Sequence, residues 1–209
     1  EAGVSYVPHG APPGSDWSEP VVEKRGGVSS LKTEVRTEKP EGILRKQIFL
    51  VDGENAIYVS HELEGYDVRT PLGHHAILDC SPSRGEWRVS LGPTVCGFTD
   101  LGLPYYQSDK MYFSLKPFCR FDSLKSVPTI WADMPRTDCS RFPARPGFVD
   151  HLLLIAAKDR FPAWTAAVCP AEGFLWFSLK DAELLPTTLM WMDNGGRWDV
   201  PFSGRNQAL

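Results

Sequence analysis

The sequence has little of several things, and each shortage removes a class of function. No apolar run approaches the length of a membrane span. The opening residues, Glu1-Ala2-Gly3-Val4, have neither the basic nor the apolar region of a secretion signal, which points to a cytoplasmic protein. They also lack an initiating Met, as expected of a chain processed, trimmed or cut from something longer. Cysteine is sparse and scattered. Cys80, Cys96, Cys119, Cys139 and Cys169 form no CxxC pair, which excludes a zinc knuckle or thioredoxin-like motif and favours free thiols. Positive charge is not in excess: the formal net charge is -4, so neither nucleic acid nor an anionic membrane is expected as a partner. A Gly-x-Ser-x-Gly elbow, a phosphate-binding loop and a dinucleotide fingerprint are all missing. Hydrolase, kinase and dehydrogenase readings therefore have no motif behind them, and no cofactor is expected.

Helical periodicity is missing too. The nearest approach is "LKDAELLP", enough for one or two turns before Pro186 stops them. What is present instead is alternation with period two. Leu31, Thr33 and Val35 alternate with Lys32, Glu34 and Arg36. "ILRKQIFLV" and "NAIYVSHELE" follow, separated by Asp52-Gly53-Glu54, a hairpin signal because Asp and Gly tolerate positive φ. Further strands are expected at "HAILDC", "EWRVSLG", "KMYFSL", "DHLLLIAA", "AWTAAVC", "GFLWFSLK" and "PTTLMWM", each bounded by turn residues. About nine short strands without crossover helices imply an all-β, antiparallel sandwich or barrel. With no linker visible, residues 1–209 read as one domain of 42% hydrophobic composition, enough for a sizeable core. The segment from Phe118 to Pro146 stands apart as long, irregular and polar, the kind of loop that tends to carry function.

Three groups of residues could carry chemistry. His74 and His75 are neighbours, so on a strand they face opposite sides and cannot share a task. Either one is buried in the core and the other lies at the surface, or one of them faces a site. No His-x-His pair and no helical HxxxH spacing is present, so no metal centre is expected, although His61, His74 or His75 with Glu62 or Glu64 would be the set for a cupin-like alternative. Trp164, Trp176, Phe177, Trp191 and Trp198 crowd the last quarter as sandwich core or as platforms for a sugar ring. The tail "DNGGRWDVPFSGRN" adds Asp193, Asn194, Arg197, Asp199, Arg205 and Asn206, with two glycines that let the backbone approach something closely. "SRFPARPGFVDH" likewise puts Arg141, Arg145, Asp150 and His151 around a turn and strand start.

Taken together, "ENAIYVSHELEG", "PLGHHAIL", "DCSRFPARPGFVD", "PAEGFLWFSLKDAELLPTTLMWMDNGGR" and the final "SGRN" resemble the aldose 1-epimerase-like group of the galactose mutarotase superfamily, over nearly the whole chain from Pro8 onward. The resemblance implies a large antiparallel β-sandwich (a supersandwich) with a carbohydrate cleft across one sheet. It implies an isomerase acting on the anomeric centre of a small carbohydrate, an aldose 1-epimerase or mutarotase. There a histidine protonates the ring oxygen while a carboxylate takes the anomeric hydroxyl proton. His75 matches the acid, His9 in "HG" and Trp17 match the cleft rim, Asp150 matches a carboxylate near the sugar, and Arg197 and Trp198 lie in the turn beside the cleft.

Two family features are absent. Ala-Pro-Pro-Gly follows "HG" where relatives carry an arginine, and the chain stops at Leu209, before the strand that carries the glutamate base. Glu172 and Glu183 do not align with that role. Flanking strands are thus expected to be missing at both ends, and the base is unassigned. The alternative is a non-catalytic carbohydrate-binding protein using the same cleft, with Trp191 and Trp198 as platforms.

Overall fold

The computed structural model describes residues 9–80, 85–99, 109–143, 145–159 and 162–209. The chain is all-β and its sheets are antiparallel; the described helix is one 3-10 turn, Pro12–Gly14. No linker was visible in the sequence, and the structure divides the chain into two compact units, Glu1–Leu72 and Gly73–Leu209.

The first unit is a four-stranded meander, β1 (Val21–Arg25), β2 (Val28–Glu38), β3 (Glu41–Val51) and β4 (Tyr58–Glu64), paired in that order. The alternating run at Leu31–Arg36 is part of β2, and "ILRKQIFLV" is most of β3, as their period-two patterns require. β1 lies within the Pro- and Gly-rich first 27 residues, whose composition reads as loop with room for one strand. It is joined to β2 by Gly26-Gly27, both at positive φ (57° and 79°), which the twist of a two-residue hairpin needs. Asp52-Gly53 does turn the chain between β3 and β4, but within a longer loop over residues 52–57. On one face Val35 and Leu44 are cross-strand partners and are buried. Nearby, the Tyr66 ring lies against Gly42, where a Cβ would come within 2.6 Å of it. Arg45 crosses the other face, pairing with Glu34 (3.0 Å) on β2 and with Glu62 (3.4 Å) and Glu64 (2.5 Å) on β4.

The second unit is a sandwich. One sheet runs β10 (Arg141–Phe142), β5 (Trp87–Leu91), β12 (Ala163–Cys169), β13 (Phe174–Lys180). The other runs β15 (Gln207–Ala208), β14 (Thr187–Asn194), β11 (Phe148–Ala156), β6 (Thr94–Thr99), β7 (Arg120–Phe121), and β8 (Val127–Pro128) pairs with β9 (Arg136–Thr137). Alternate residues of each sheet meet in one core: Trp87, Val89, Ala167 and Cys169 from the first, Leu152, Leu154, Met190 and Met192 from the second. Phe142 and Val127 fill it from the long connection.

Two expected strands dissolve. "HAILDC" is irregular apart from a bridge at Asp79; among the described residues the backbone of Leu78 and Cys80 bonds to the C-terminal Leu209 and Gln207. "KMYFSL" makes bridges at Met111 and Leu115 without forming a ladder. β6 and the β7–β10 pieces were not expected; β6 carries Gly97, above which the Phe121 ring sits too close for any Cβ. "LKDAELLP" yields one turn, closed by Leu185 N–H to Asp181 O at 2.8 Å.

All five cysteines are free thiols. Burial pushes the Cys80 and Cys139 thiols up to about 12, so both stay protonated and unreactive near neutral pH. Cys119 alone is only half-buried. A thiol reagent at pH 8 is expected to modify Cys119 in the native protein and the other four only after unfolding. Mass-spectrometric mapping checks this; fast native labelling of Cys80 or Cys139 would contradict their packing.

Candidate functional site

The C-terminal turn is built by close backbone approach. Gly195 sits at φ +80°, and a Cβ on Gly196 would lie 2.0 Å from the backbone at Phe148 and Val149, so only glycine lets the turn rest on β11. The sequence pointed to such an approach; what the backbone meets is the neighbouring strand. The turn is then tied on both sides, by Tyr112 N–H to Gly196 O (3.0 Å), Trp198 N–H to Lys110 O (2.8 Å) and Gly204 N–H to Arg197 O (2.8 Å). Asp193 is buried beneath it and accepts from Gly196 N–H (3.1 Å) and the Asn206 amide (2.9 Å). Burial raises its pKa, and those hydrogen bonds and the Arg197 charge oppose the rise.

Arg197 has its charge and its plane occupied. Its Nε donates to both Asp199 oxygens (2.9 and 3.2 Å), Nη2 donates to Asp199 Oδ2 (3.1 Å), and its guanidinium lies 3.9 Å from the Phe202 ring centroid and 5.3 Å from that of Trp191. The fork holds the Asp199 carboxyl below its ordinary pKa. Trp198 is the opposite case. The residue is 56% exposed, and one side of its indole rests on Gly204, where a Cβ would come within 2.9 Å of Cε2 and Cζ2. The result is a rigid aromatic plate with open area.

Asp150 has a structural task. It shares the core side of β11 with Leu152 and Leu154, and its carboxylate accepts from the backbone N–H of Ser114 and Leu115 (both 2.9 Å) and from the Ser114 hydroxyl. A carboxylate buried among these donors clamps the Ser114–Leu115 segment to the strand rather than facing a cleft. Its neighbour His151 points to the opposite face, buried between Phe113 (centroids 6.1 Å) and Trp191 (5.5 Å). This column of Phe113, His151, Trp191 and Arg197 was not picked out as a unit, because its members are far apart in sequence and meet only through the β11–β14 pairing of His151 with Trp191.

His75 is exposed on an irregular segment three residues before Leu78, the point where that segment joins the C-terminal end. His74 is exposed as well, so the two do not divide into inside and outside as they would on a strand. Thus His75, Asp150, Arg197 and Trp198 all belong to the second unit, but only Arg197 and Trp198 share one local turn. His9 belongs to the first unit, at φ 64° just before the 3-10 turn, and Trp17 is closed onto that turn by Nε1–H to Pro12 O (2.9 Å).

None of these residues lines the groove formed by the long irregular connection. That groove, of about 780 Å³, runs between residues 116–120 and 128–136 within the long irregular connection. Lys116, Arg120 and Arg136 line it with Ile130, Trp131 and two prolines, and Arg145 stacks on Trp131 at 4.2 Å. Arg136 is anchored by donating to Ser126 O (2.8 Å), and Arg120 pairs with Asp122 (3.3 Å). Segment length flagged this region in the sequence; no motif identified its residues. Among the described residues no cluster of three or more potential metal ligands occurs, and no helix is long and apolar enough to cross a membrane. Comparison with family models, curated proteins and solved structures finds no match to this chain.

The clamp predicts a large, specific loss of stability. Asp150→Ala leaves two buried backbone donors without an acceptor and should cost about 3 kcal/mol, whereas Asp150→Asn, which keeps one acceptor oxygen, should cost about 1 kcal/mol. Urea unfolding of the two variants checks the order. Equal, small losses would show that Asp150 does not hold this segment.

Proposed function

We propose that this chain is a carbohydrate-binding, isomerase-like protein that receives the sugar on its second unit and acts on the anomeric centre. The observation that supports this most directly is Trp198, 56% exposed, its indole backed by Gly204 and held by backbone bonds on both sides of the turn. An indole fixed in that way offers its face to the C–H side of a pyranose with little conformational entropy to lose on binding. The resemblance of "GHHAIL" and "NGGR" to the aldose 1-epimerase-like group adds the chemistry. His75, exposed on its irregular segment, is the general acid toward the ring oxygen. A base must remove the C1 hydroxyl proton in the same step, after which rotation and reclosure exchange the anomers.

One observation favours the non-catalytic form of this reading. The carboxylates nearest Trp198 in sequence are already engaged, Asp199 by Arg197 and Asp193 by Gly196 and Asn206. Neither is poised as a base.

Saturation-transfer NMR against a panel of aldoses, with anomer exchange recorded in the same samples, tests both. Saturation transfer is expected, with a loss of at least tenfold in affinity for Trp198→Ala, a change that exposes no core. Faster exchange abolished by His75→Ala identifies the epimerase. Binding with unaccelerated exchange leaves the binding protein. Absence of any saturation transfer overturns the proposal in both forms.

A further inference from the structure

The groove in the long connection has walls that are fixed by the fold itself. Lys116 N–H donates to Pro128 O (3.0 Å), Leu115 bridges Thr129, and Ile130 N–H donates to Ser114 O (3.1 Å), so one wall is tied to the other. Thr129 closes the second wall on itself, through its N–H to Pro135 O (3.0 Å) and its hydroxyl to Met134 O. The space between them, about 780 Å³, is of the size that takes a small organic molecule.

The charge of the groove runs against that of the chain. The formal net charge of the protein is -4, yet Lys116, Arg120 and Arg136 line the groove and no carboxylate is among its described lining residues. Arg120 has Asp122 at 3.3 Å, with both side chains largely exposed. Lys116 and Arg136 have no acidic partner among the described residues. Arg136 is held in place all the same: its Nη1 donates to Ser126 O (2.8 Å), which leaves the other N–H groups of the fork for a further acceptor. Arg145, stacked on Trp131 at 4.2 Å, adds a cation beside the same wall. Between the cations the lining is apolar, from Ile130, Trp131 and the two prolines.

We propose that this groove binds a small organic phosphate. Lys116 and Arg120 on one wall and Arg136 on the other hold the phosphate, and Ile130 and Trp131 receive the organic body. A phosphate monoester carries roughly two negative charges near neutral pH and three strong acceptor oxygens. It can therefore take donors from both walls at once, whereas a carboxylate is planar, singly charged and satisfied by one guanidinium fork. Bare phosphate would leave the apolar lining unused. Neither His75 nor Trp198 lines the groove, so the inference does not depend on the sugar reading.

Phenyl phosphate is the probe, titrated calorimetrically into the native chain beside inorganic phosphate and benzyl alcohol. One saturable site is expected for phenyl phosphate, about tenfold tighter than for inorganic phosphate, and none for benzyl alcohol. Lys116→Gln/Arg136→Gln should weaken phenyl phosphate about tenfold, and because both residues are exposed its ligand-free melting temperature should match the parent. A second readout needs no variant. Cys119 lines the groove, so phenyl phosphate should slow its alkylation by iodoacetamide in the parent chain. Unchanged alkylation of Cys119, or unchanged affinity in a folded double variant, overturns the inference. Equal affinity for phenyl phosphate and inorganic phosphate overturns it too, since the apolar lining would then take no part.

Discussion

The carboxylate of Asp150 is the contact through which the second unit is organised. It sits on the core side of β11 and gathers the N–H groups of Ser114 and Leu115. Those residues in turn carry the long connection: Ser114 O accepts from Ile130 N–H (3.1 Å), Leu115 bridges Thr129, and Lys116 N–H donates to Pro128 O (3.0 Å). An irregular chain of this length cannot satisfy its backbone through a ladder, so a buried acceptor with several lone pairs does what a strand partner would do. The groove bordered by Lys116 and Arg136 exists because this clamp fixes one wall and the Thr129–Pro135 bond (3.0 Å) fixes the other.

The same economy of partners explains the C-terminal turn. Gly196 brings the backbone onto β11, Asp193 closes the turn from below, and Asp199 with Phe202 immobilises Arg197. Asp193, Arg197 and Asp199 are thereby engaged within the fold, whereas the Trp198 indole is left presented. A fixed aromatic plate on a fixed turn suits recognition, since the ordering cost is met during folding. Catalysis asks for more, namely an acid and a base on opposite sides of one anomeric centre; His75 lies on a separate segment, and the turn's carboxylates Asp193 and Asp199 are engaged within the fold.

The two units solve the sheet problem differently. The first is a lone meander whose polar face is a charge ladder, with Arg45 bridging glutamates on both flanking strands. Such pairs on an exposed face add little stability and mainly set register and solubility. The second buries one face of each sheet in a shared core and leaves β13 as a border strand.

Much of this was readable from the residues. Period-two alternation identified the parts of β2 and β3 at Leu31–Arg36 and "ILRKQIFLV", as well as β11 to β14, and the absence of a 3.6-residue repeat excluded helices, because a strand's facing is written locally in its side chains. The glycines before Arg197 announced a close approach. The tasks of the named site residues were not readable. Asp150 looks the same in sequence whether it meets a sugar hydroxyl or two amides, and Arg197 looks the same whether free or forked to Asp199. "HAILDC" has strand character, but among the described residues it finds just the short C-terminal segment 207–209 as partner, and His75 stays on an irregular segment. The sequence by itself determined the all-β class and most of the strands, since both follow from short-range pattern. Only the tertiary structure decided which polar groups remain available, because that depends on partners supplied from tens of residues away.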